Sequence, residues 1–365
     1  MDRFQFICQP LDGSRPGIVW PLFRQNHISR TPKHLFRAGY VLAANALMGS
    51  AMSWWENSRQ RAKIAATELA EQPVFIIGHW RSGTTLLHTL LSLDKRFGYL
   101  CNSQALLPNA MFMRNKLLRG IVDFHLMPKR PMDDVPLSPE SPQEEEFALA
   151  SLFGQGAYLG WYFPEKFASY FEKYALLEGM DAAERASFSA NYKWLVQKMT
   201  VANGGKPLVL KNPVNTGRVE FLLELFPKAK FVYLHRDCAE VYHSTLRLHT
   251  KLIEQFSFQD RLPDGLEQFT IDFYRRLIQK YETEKALIPA GQLVETTYES
   301  LTQRPLDTLA GIYEGLGLPH FEAARPAFVR HMDEQKKTYR AAKYQISNQA
   351  AEELRHAMSG QLQAA

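Results

Sequence analysis

Two rhythms alternate along the chain. Short apolar runs at 73–77 (PVFII), 208–210 (LVL) and 230–234 (KFVYL) read as buried strands, with a shorter candidate at 292–295. After each run, apolar residues recur at helical spacing: from a glycine turn to Leu93, over 216–225, over 239–252 and over 306–316. Pro305 suits the first position of the last of these helices, where no amide donor is needed. Another helix is expected over 266–287 and helical segments fill the chain to about Leu69. Residues 128–142 (PKRPMDDVPLSPESP) form a proline-rich loop that leads into a helix over 144–153. Strands alternating with helices predict an α/β fold, a mainly parallel sheet with helices on both faces.

Composition changes this picture little. The 365 residues, 45% hydrophobic and 22% charged, suit a globular protein with a sizeable core. A formal net charge of +5 suits an anionic ligand. Cys8, Cys101 and Cys238 are odd in number and lack metal-site spacing, which points to a reducing compartment. The first residues lack the apolar core and cleavage site of a secretory signal. Residues 38–55 (AGYVLAANALMGSAMSWW) carry no charge, but Asn45, Gly49, Ser50 and Ser53 make them a poor membrane span. They fit a buried or surface-packed helix, with a helix lying in a membrane interface as the alternative.

The segment 74–91 (VFIIGHWRSGTTLLHTLL) carries the most chemistry. Gly78 to Thr85 has the spacing of a phosphate loop, G-x-x-x-x-G-K-[ST], with Thr84 where the lysine belongs. Glycines allow the tight turn, consecutive amides point inward, and the following helix offers its positive end to an anion. Ser82, Thr84 and Thr85 add hydroxyls, and Arg81 can replace the missing cation. The second candidate strand runs into His235 and Arg236, where a triphosphatase would place a metal-binding acid. The pattern favours neutralising an anion with arginine and amides, without a metal. A magnesium-dependent phosphotransferase and a scaffold with a dead nucleotide site are the competing readings.

At these residues the chain resembles the sulfotransferases that use 3′-phosphoadenosine 5′-phosphosulfate (PAPS), and in particular their bacterial branch. The resemblance spans residues 73 to the C-terminal tail. It implies that Arg81, Ser82, Gly83, Thr84 and Thr85 hold the 5′-phosphosulfate. The segment 230–245 (KFVYLHRDCAEVYHST) matches the 3′-phosphate motif and puts Arg236 and Ser244 on that phosphate, with Ser244 two helical turns beyond the strand end. By the same resemblance Lys211 approaches the sulfuryl group and Tyr298 lies near the adenine. Lys336, Lys337 and Arg340 form a basic lid over the 3′-phosphate. The implied fold is a P-loop-like parallel sheet of sulfotransferase type. The implied product is 3′-phosphoadenosine 5′-phosphate (PAP), with no metal required.

The chain departs from the family at the base. Many relatives place a histidine a few residues after the lysine, but here the segment reads Lys211-Asn-Pro-Val-Asn215, and asparagine cannot take a proton. Glu144 and Glu146, in PQEEEFAL after the proline loop, resemble an acidic motif of the bacterial branch. Acids at a helix start also complement its dipole, so capping remains an alternative, as do His88 and His243. The aromatic stretch 158–174 fits a core or an acceptor pocket. The expected acceptor is a small-molecule or lipid-like, amphiphilic hydroxyl, with no nucleic-acid partner. The expected location is cytoplasmic, with the inner membrane surface as an option opened by residues 38–55. The expected division is a helical extension over 1–70, a catalytic domain over 71–330 and a lid and tail over 331–365.

Overall fold

The computed structural model describes residues 10–69, 72–113, 116–130, 136–338, 351–352 and 354–356. They fall into two compact units. One comprises Met1–Ala70, Tyr99–Gly205 and Arg247–Asp264; the other comprises Glu71–Gly98, Lys206–Leu246 and Gly265–Ala365.

The second unit holds the sheet. Its strands are β1 (Val74–Ile77), β2 (Val209–Lys211), β3 (Lys230–His235) and β4 (Leu293–Thr297), in the order β2-β1-β3-β4 and all parallel. The apolar runs were long enough to mark all four, although β4 extends two residues past its expected end. Side chains alternate between the two faces. Val74, Ile76, Val209, Val232 and Leu234 point into a core closed by Leu87, Leu90 and Leu91 of the helix Thr84–Ser92. Leu309 and Ile312 of the helix Pro305–Gly315 close it further, and Pro305 sits at the start of that helix as expected. On the opposite face Phe75 stacks on Phe231 at 5.7 Å, and Tyr233 stacks at 4.0 Å on Tyr281 of the helix Leu266–Glu284. Helices therefore cover both faces of a parallel sheet.

The helix expected over 216–225 begins later, at Val219. Residues Pro213–Gly217 form a 3₁₀ turn instead, because Pro213 has no amide donor and the Asn212 side chain accepts the Val214 N–H at 3.1 Å.

The other unit is helical. Residues 38–55 are not one regular helix: an α-helix over Pro32–Ala44 passes through a π-helical turn at Asn45–Gly49 into a second α-helix over Ser50–Ala65. Gly49 is needed there, since a Cβ would lie 1.8 Å from the Ser14 carbonyl oxygen. Among the described residues no helix is long and apolar enough to cross a membrane. The aromatic stretch is core: Tyr158, Trp161, Tyr162, Phe163, Phe167 and Phe171 are all buried, and Trp161 donates its indole N–H to His249 at 3.0 Å. The longest helix of this unit, Ala182–Ala202, starts with a capping box in which Asp181 accepts the Glu184 N–H.

Candidate functional site

In the sheet unit, β1 leads into the loop 78–83 and the helix Thr84–Ser92. Two glycines make this path available. At Gly78 (φ 139°) a Cβ would lie 2.4 Å from the Leu234 carbonyl oxygen, so the loop passes β3 only without a side chain. At Gly83 (φ 94°) a Cβ would lie 2.4 Å from the Tyr298 ring. The Ser82 hydroxyl donates to the His79 carbonyl at 2.7 Å, and the Gly78 N–H donates to Thr216 Oγ1 at 2.8 Å. Ser82 and Thr84 are buried and Thr85 is half-buried at the start of the helix, where the Leu86 N–H donates back to the Gly83 carbonyl at 2.9 Å.

Arg81 occupies the left-handed region at φ 70°, which costs a non-glycine residue on the order of 1–3 kcal/mol. Two contacts hold it there. Its Nε donates to Ser244 Oγ at 2.7 Å, and its carbonyl accepts from Arg236 Nη1 at 3.1 Å. Arg236 leaves the end of β3 with its guanidinium carbon 4.2 Å from the Tyr298 ring centroid, and it donates twice to Glu240 Oε2 at 3.0 and 2.7 Å. Tyr298 itself opens the helix Tyr298–Gln303 directly after β4, where Thr297 accepts the Ser300 N–H. Arg81, Gly83, Arg236, Ser244 and Tyr298 are thus gathered at the carboxyl ends of β1, β3 and β4, where open parallel sheets bind their ligands.

Lys211 ends β2 beside Ile76 and is buried. Its charge acts on His88, which lies wholly buried with Nε2 3.3 Å from the Val209 carbonyl. Burial, then the Lys211 charge, holds the His88 pKa down to about 3, so this imidazole stays neutral at physiological pH. Its burial makes it a packing residue. Asn215, in the family's histidine position, is also buried, and it accepts from Arg218 Nη1 at 3.1 Å.

Glu144 and Glu146 belong to the helical unit, at the start of the helix Glu145–Phe153. Glu146 is fully buried and accepts the Ala157 N–H at 2.6 Å. Glu145 is equally buried and accepts from the Tyr192 hydroxyl at 2.8 Å. Glu144, at the N-cap, is half-buried and accepts from the Tyr158 hydroxyl. Lys336 and Lys337 lie near the end of the helix Phe321–Thr338, and Arg340 lies outside the described residues.

A cavity of about 820 Å³ also opens in the sheet unit, between β3, β4 and the helix Leu266–Glu284. Asp237, Glu282 and Glu295 line it together with His235, Arg275 and Arg355, and Arg355 pairs with Asp237 at 2.8 Å. Thr216 was not visible as a site neighbour in the sequence, since it acts through a contact across the fold, and Glu240 was missed although it stands four residues after Arg236. Tyr158 was noted only as part of the aromatic stretch.

A parallel sheet with helices on both faces, a glycine-shaped loop after β1 and two arginines in contact beyond its strand ends defines an α/β protein. The family follows: residues 73–323 match the sulfotransferase family model, and the chain belongs to that family. It is a sulfotransferase. Its relatives include the omega-hydroxy-beta-dihydromenaquinone-9 sulfotransferase Stf3 of Mycobacterium bovis, 32% identical over 302 residues, which are 83% of this chain and 77% of Stf3. Two crystal structures share the fold. Sulfotransferase STF9 of Mycobacterium avium has a TM-score of 0.70 at 18% identity, over 92% of this chain and 86% of that one. Sulfotransferase STF1 of Mycobacterium tuberculosis H37Rv has a TM-score of 0.67 at 20% identity, over 94% and 90%.

Proposed function

We propose that this sulfotransferase moves the sulfuryl group of PAPS to the hydroxyl of a lipid-like or amphiphilic alcohol, with Glu144 as general base. The observation that carries the donor is the cluster of Arg81, Ser244, Arg236 and Tyr298 at the strand ends. The loop amides and Arg81 neutralise the 5′-phosphosulfate, Lys211 approaches the sulfuryl group, and Arg236 with Ser244 reads the 3′-phosphate. The acceptor oxygen forms its bond to sulfur as the bond from sulfur to the bridging phosphate oxygen breaks. The Glu144 carboxylate takes the hydroxyl proton, and PAP leaves with the electron pair of the broken bond. Such in-line transfer has a loose transition state, in which charge neutralisation does most of the catalysis.

Burial supports Glu144 over Glu146. The Glu146 carboxylate is enclosed and holds a backbone amide, while Glu144 retains access to solvent. The Tyr158 hydroxyl orients it. The lipid-like acceptor is supported by the name of the Stf3 relative and by the uncharged segment 38–55. On this reading the reaction takes place at the cytoplasmic face of a membrane.

Calorimetric titration with PAP, 5′-AMP and ATP-magnesium tests the donor. PAP should bind without metal and about 2–4 kcal/mol more tightly than 5′-AMP, the contribution of charge-assisted bonds to the extra phosphate. Arg236→Ala should abolish most of that difference. Binding of ATP-magnesium with no binding of PAP would overturn the reading.

A further inference from the structure

A helix on a protein surface ordinarily turns its polar residues outward. The helices Pro32–Ala44 and Ser50–Ala65 do the reverse. His34, Arg37, Asn45, Ser53 and Glu56 are all less than a tenth exposed. Most of these inward groups have partners within the unit. His34 reaches the Ser257 carbonyl at 3.1 Å and Asp260 at 2.9 Å, Arg37 donates to the Ser257 carbonyl, and Glu56 pairs with buried Lys198. As far as Trp54 the large outward side chains are apolar, with Leu35 53% exposed, Phe36 58%, Leu47 77% and Trp54 74%; beyond it the second helix turns Arg59, Arg61 and Lys63 outward.

Exposed positions recur at 39, 43, 47, 50, 54 and 58, the spacing of one helical face. That face carries no charge from 35 to 58, a strip about 35 Å long at 1.5 Å per residue. The helical unit also holds seven of the nine large apolar side chains that stand most exposed among the described residues, so the apolar surface is concentrated there. Cations mark both ends of the strip. Arg24 and Arg30 are exposed before it, and Arg59, Arg61 and Lys63 are exposed after it. Between residues 13 and 67 the sequence has one acid, Glu56, and that one is buried on Lys198.

We propose that this strip docks the protein on an anionic phospholipid bilayer, with Leu47 and Trp54 inserted and the flanking arginines and Lys63 on the headgroups. The inference deepens the lipid-acceptor reading and rests on it. Both ingredients of interfacial binding are present, apolar area on one helix face and cations that outnumber the carboxylates beside them, Asp260 on His34 and Glu165 on His27. A second copy of the chain fits less well. An antiparallel two-fold pairing of the strips would bring the Arg24/Arg30 end of one against the Arg59/Arg61/Lys63 end of the other, cation against cation.

The test is co-sedimentation of the full chain with vesicles of phosphatidylcholine alone or mixed with phosphatidylglycerol, alongside ultracentrifugation without lipid. The protein should partition onto the mixed vesicles and remain monomeric in solution. Leu47→Ser with Trp54→Ser should weaken partitioning on the order of 100-fold, from the apolar area those side chains bury. Arg59→Gln, Arg61→Gln and Lys63→Gln should each cost about fivefold and reduce the preference for phosphatidylglycerol. PAP titration of every variant serves as the folding control, because these positions lie on the helical unit's surface. Undiminished vesicle binding by the Leu47/Trp54 variant would overturn the proposal. So would a dimer in solution that this variant converts to monomer. Failure of the unaltered protein to bind PAP would refute the donor assignment while leaving the vesicle result to stand on its own.

Discussion

The sheet unit and the helical unit differ in what they gather at the surface. In the first, arginines and hydroxyls collect at the ends of parallel strands, where Arg81, Arg236 and Ser244 hold one another. In the second, charged side chains turn inward, as Glu56, Lys198 and Arg37 do, while Leu47 and Trp54 stand in solvent. A buried, compensated polar group mostly serves architecture, and a gathered group at a strand end serves a ligand. The apolar surface left on the helical unit then needs a partner of its own. The acidic triplet tests whether that distinction holds within a single helix start, because one of its members differs from the other two in burial.

Glu144→Gln should therefore lower turnover on the order of 10²–10⁴-fold, the usual contribution of a general base, with PAP affinity and melting temperature nearly unchanged. Glu146→Gln should lower the melting temperature, since the Ala157 amide loses a charged acceptor inside the fold, and should spare turnover in the protein that remains folded. Steady-state kinetics and thermal melts on both variants read this directly. The opposite pattern would exchange the two assignments.

The inward polar groups of the helical unit supply the next effect. Lys198→Met strands the Glu56 carboxylate, which is 2% exposed, and should cost about 3–5 kcal/mol in urea unfolding. Adding Glu56→Gln should recover much of that loss. If the single variant is as stable as the parent, the pair is not the support that its burial implies.

What the sequence made legible divides along the same line. Three strands could be read because parallel strands buried on both faces are continuous apolar runs, β4 gave only a weaker signal because it is a partly exposed edge strand, and the loop could be read because its glycines are demanded by close approach. Arg81, Arg236, Ser244 and Tyr298 were found through motifs whose spacing along the chain fixes their place at strand ends. The helical unit was less legible. Its inverted helix has ordinary helical periodicity, and periodicity does not say which face the fold will cover. The π-helical turn at Asn45–Gly49 depends on the approach of Ser14, a contact across the fold that local pattern does not contain. The helix Ala182–Ala202 was not read from the sequence, although Asp181 and Glu184 stand three residues apart as a capping box, because its mixed charged and apolar surface gives no strong stripe. Thr216 touches the loop through a tertiary contact with no spacing signature, whereas Glu240, four residues after Arg236, had the spacing of a local ion pair that the motif reading passed over.

The smallest effect is expected under acid, and it returns to the sheet unit. Burial lowers the His79 pKa to about 4, and burial with the nearby Lys211 charge lowers that of His88 to about 3. Both groups titrate near 6.5 when unfolded, so below that pH the unfolded chain binds protons that the folded chain refuses. Their contribution is fully present above about pH 6.5 and is lost as the pH falls, at up to about 1.4 kcal/mol per pH unit for each histidine. Buried His34 and His125 of the helical unit are also lowered, mainly by burial, so the unmodified chain should show a steeper slope than these two alone produce. The measurement is urea unfolding from pH 7 to pH 5, above the range where most carboxylates protonate. His88→Gln is expected to lower stability at pH 7 through lost packing, yet its stability should decline less steeply with acid, by up to one histidine's share. That change in slope separates titration from packing, because a packing defect alone would shift the whole curve without tilting it. An unchanged slope would mean that His88 accepts protons in the folded state as readily as in the unfolded one, and its burial beside Lys211 would no longer account for its chemistry.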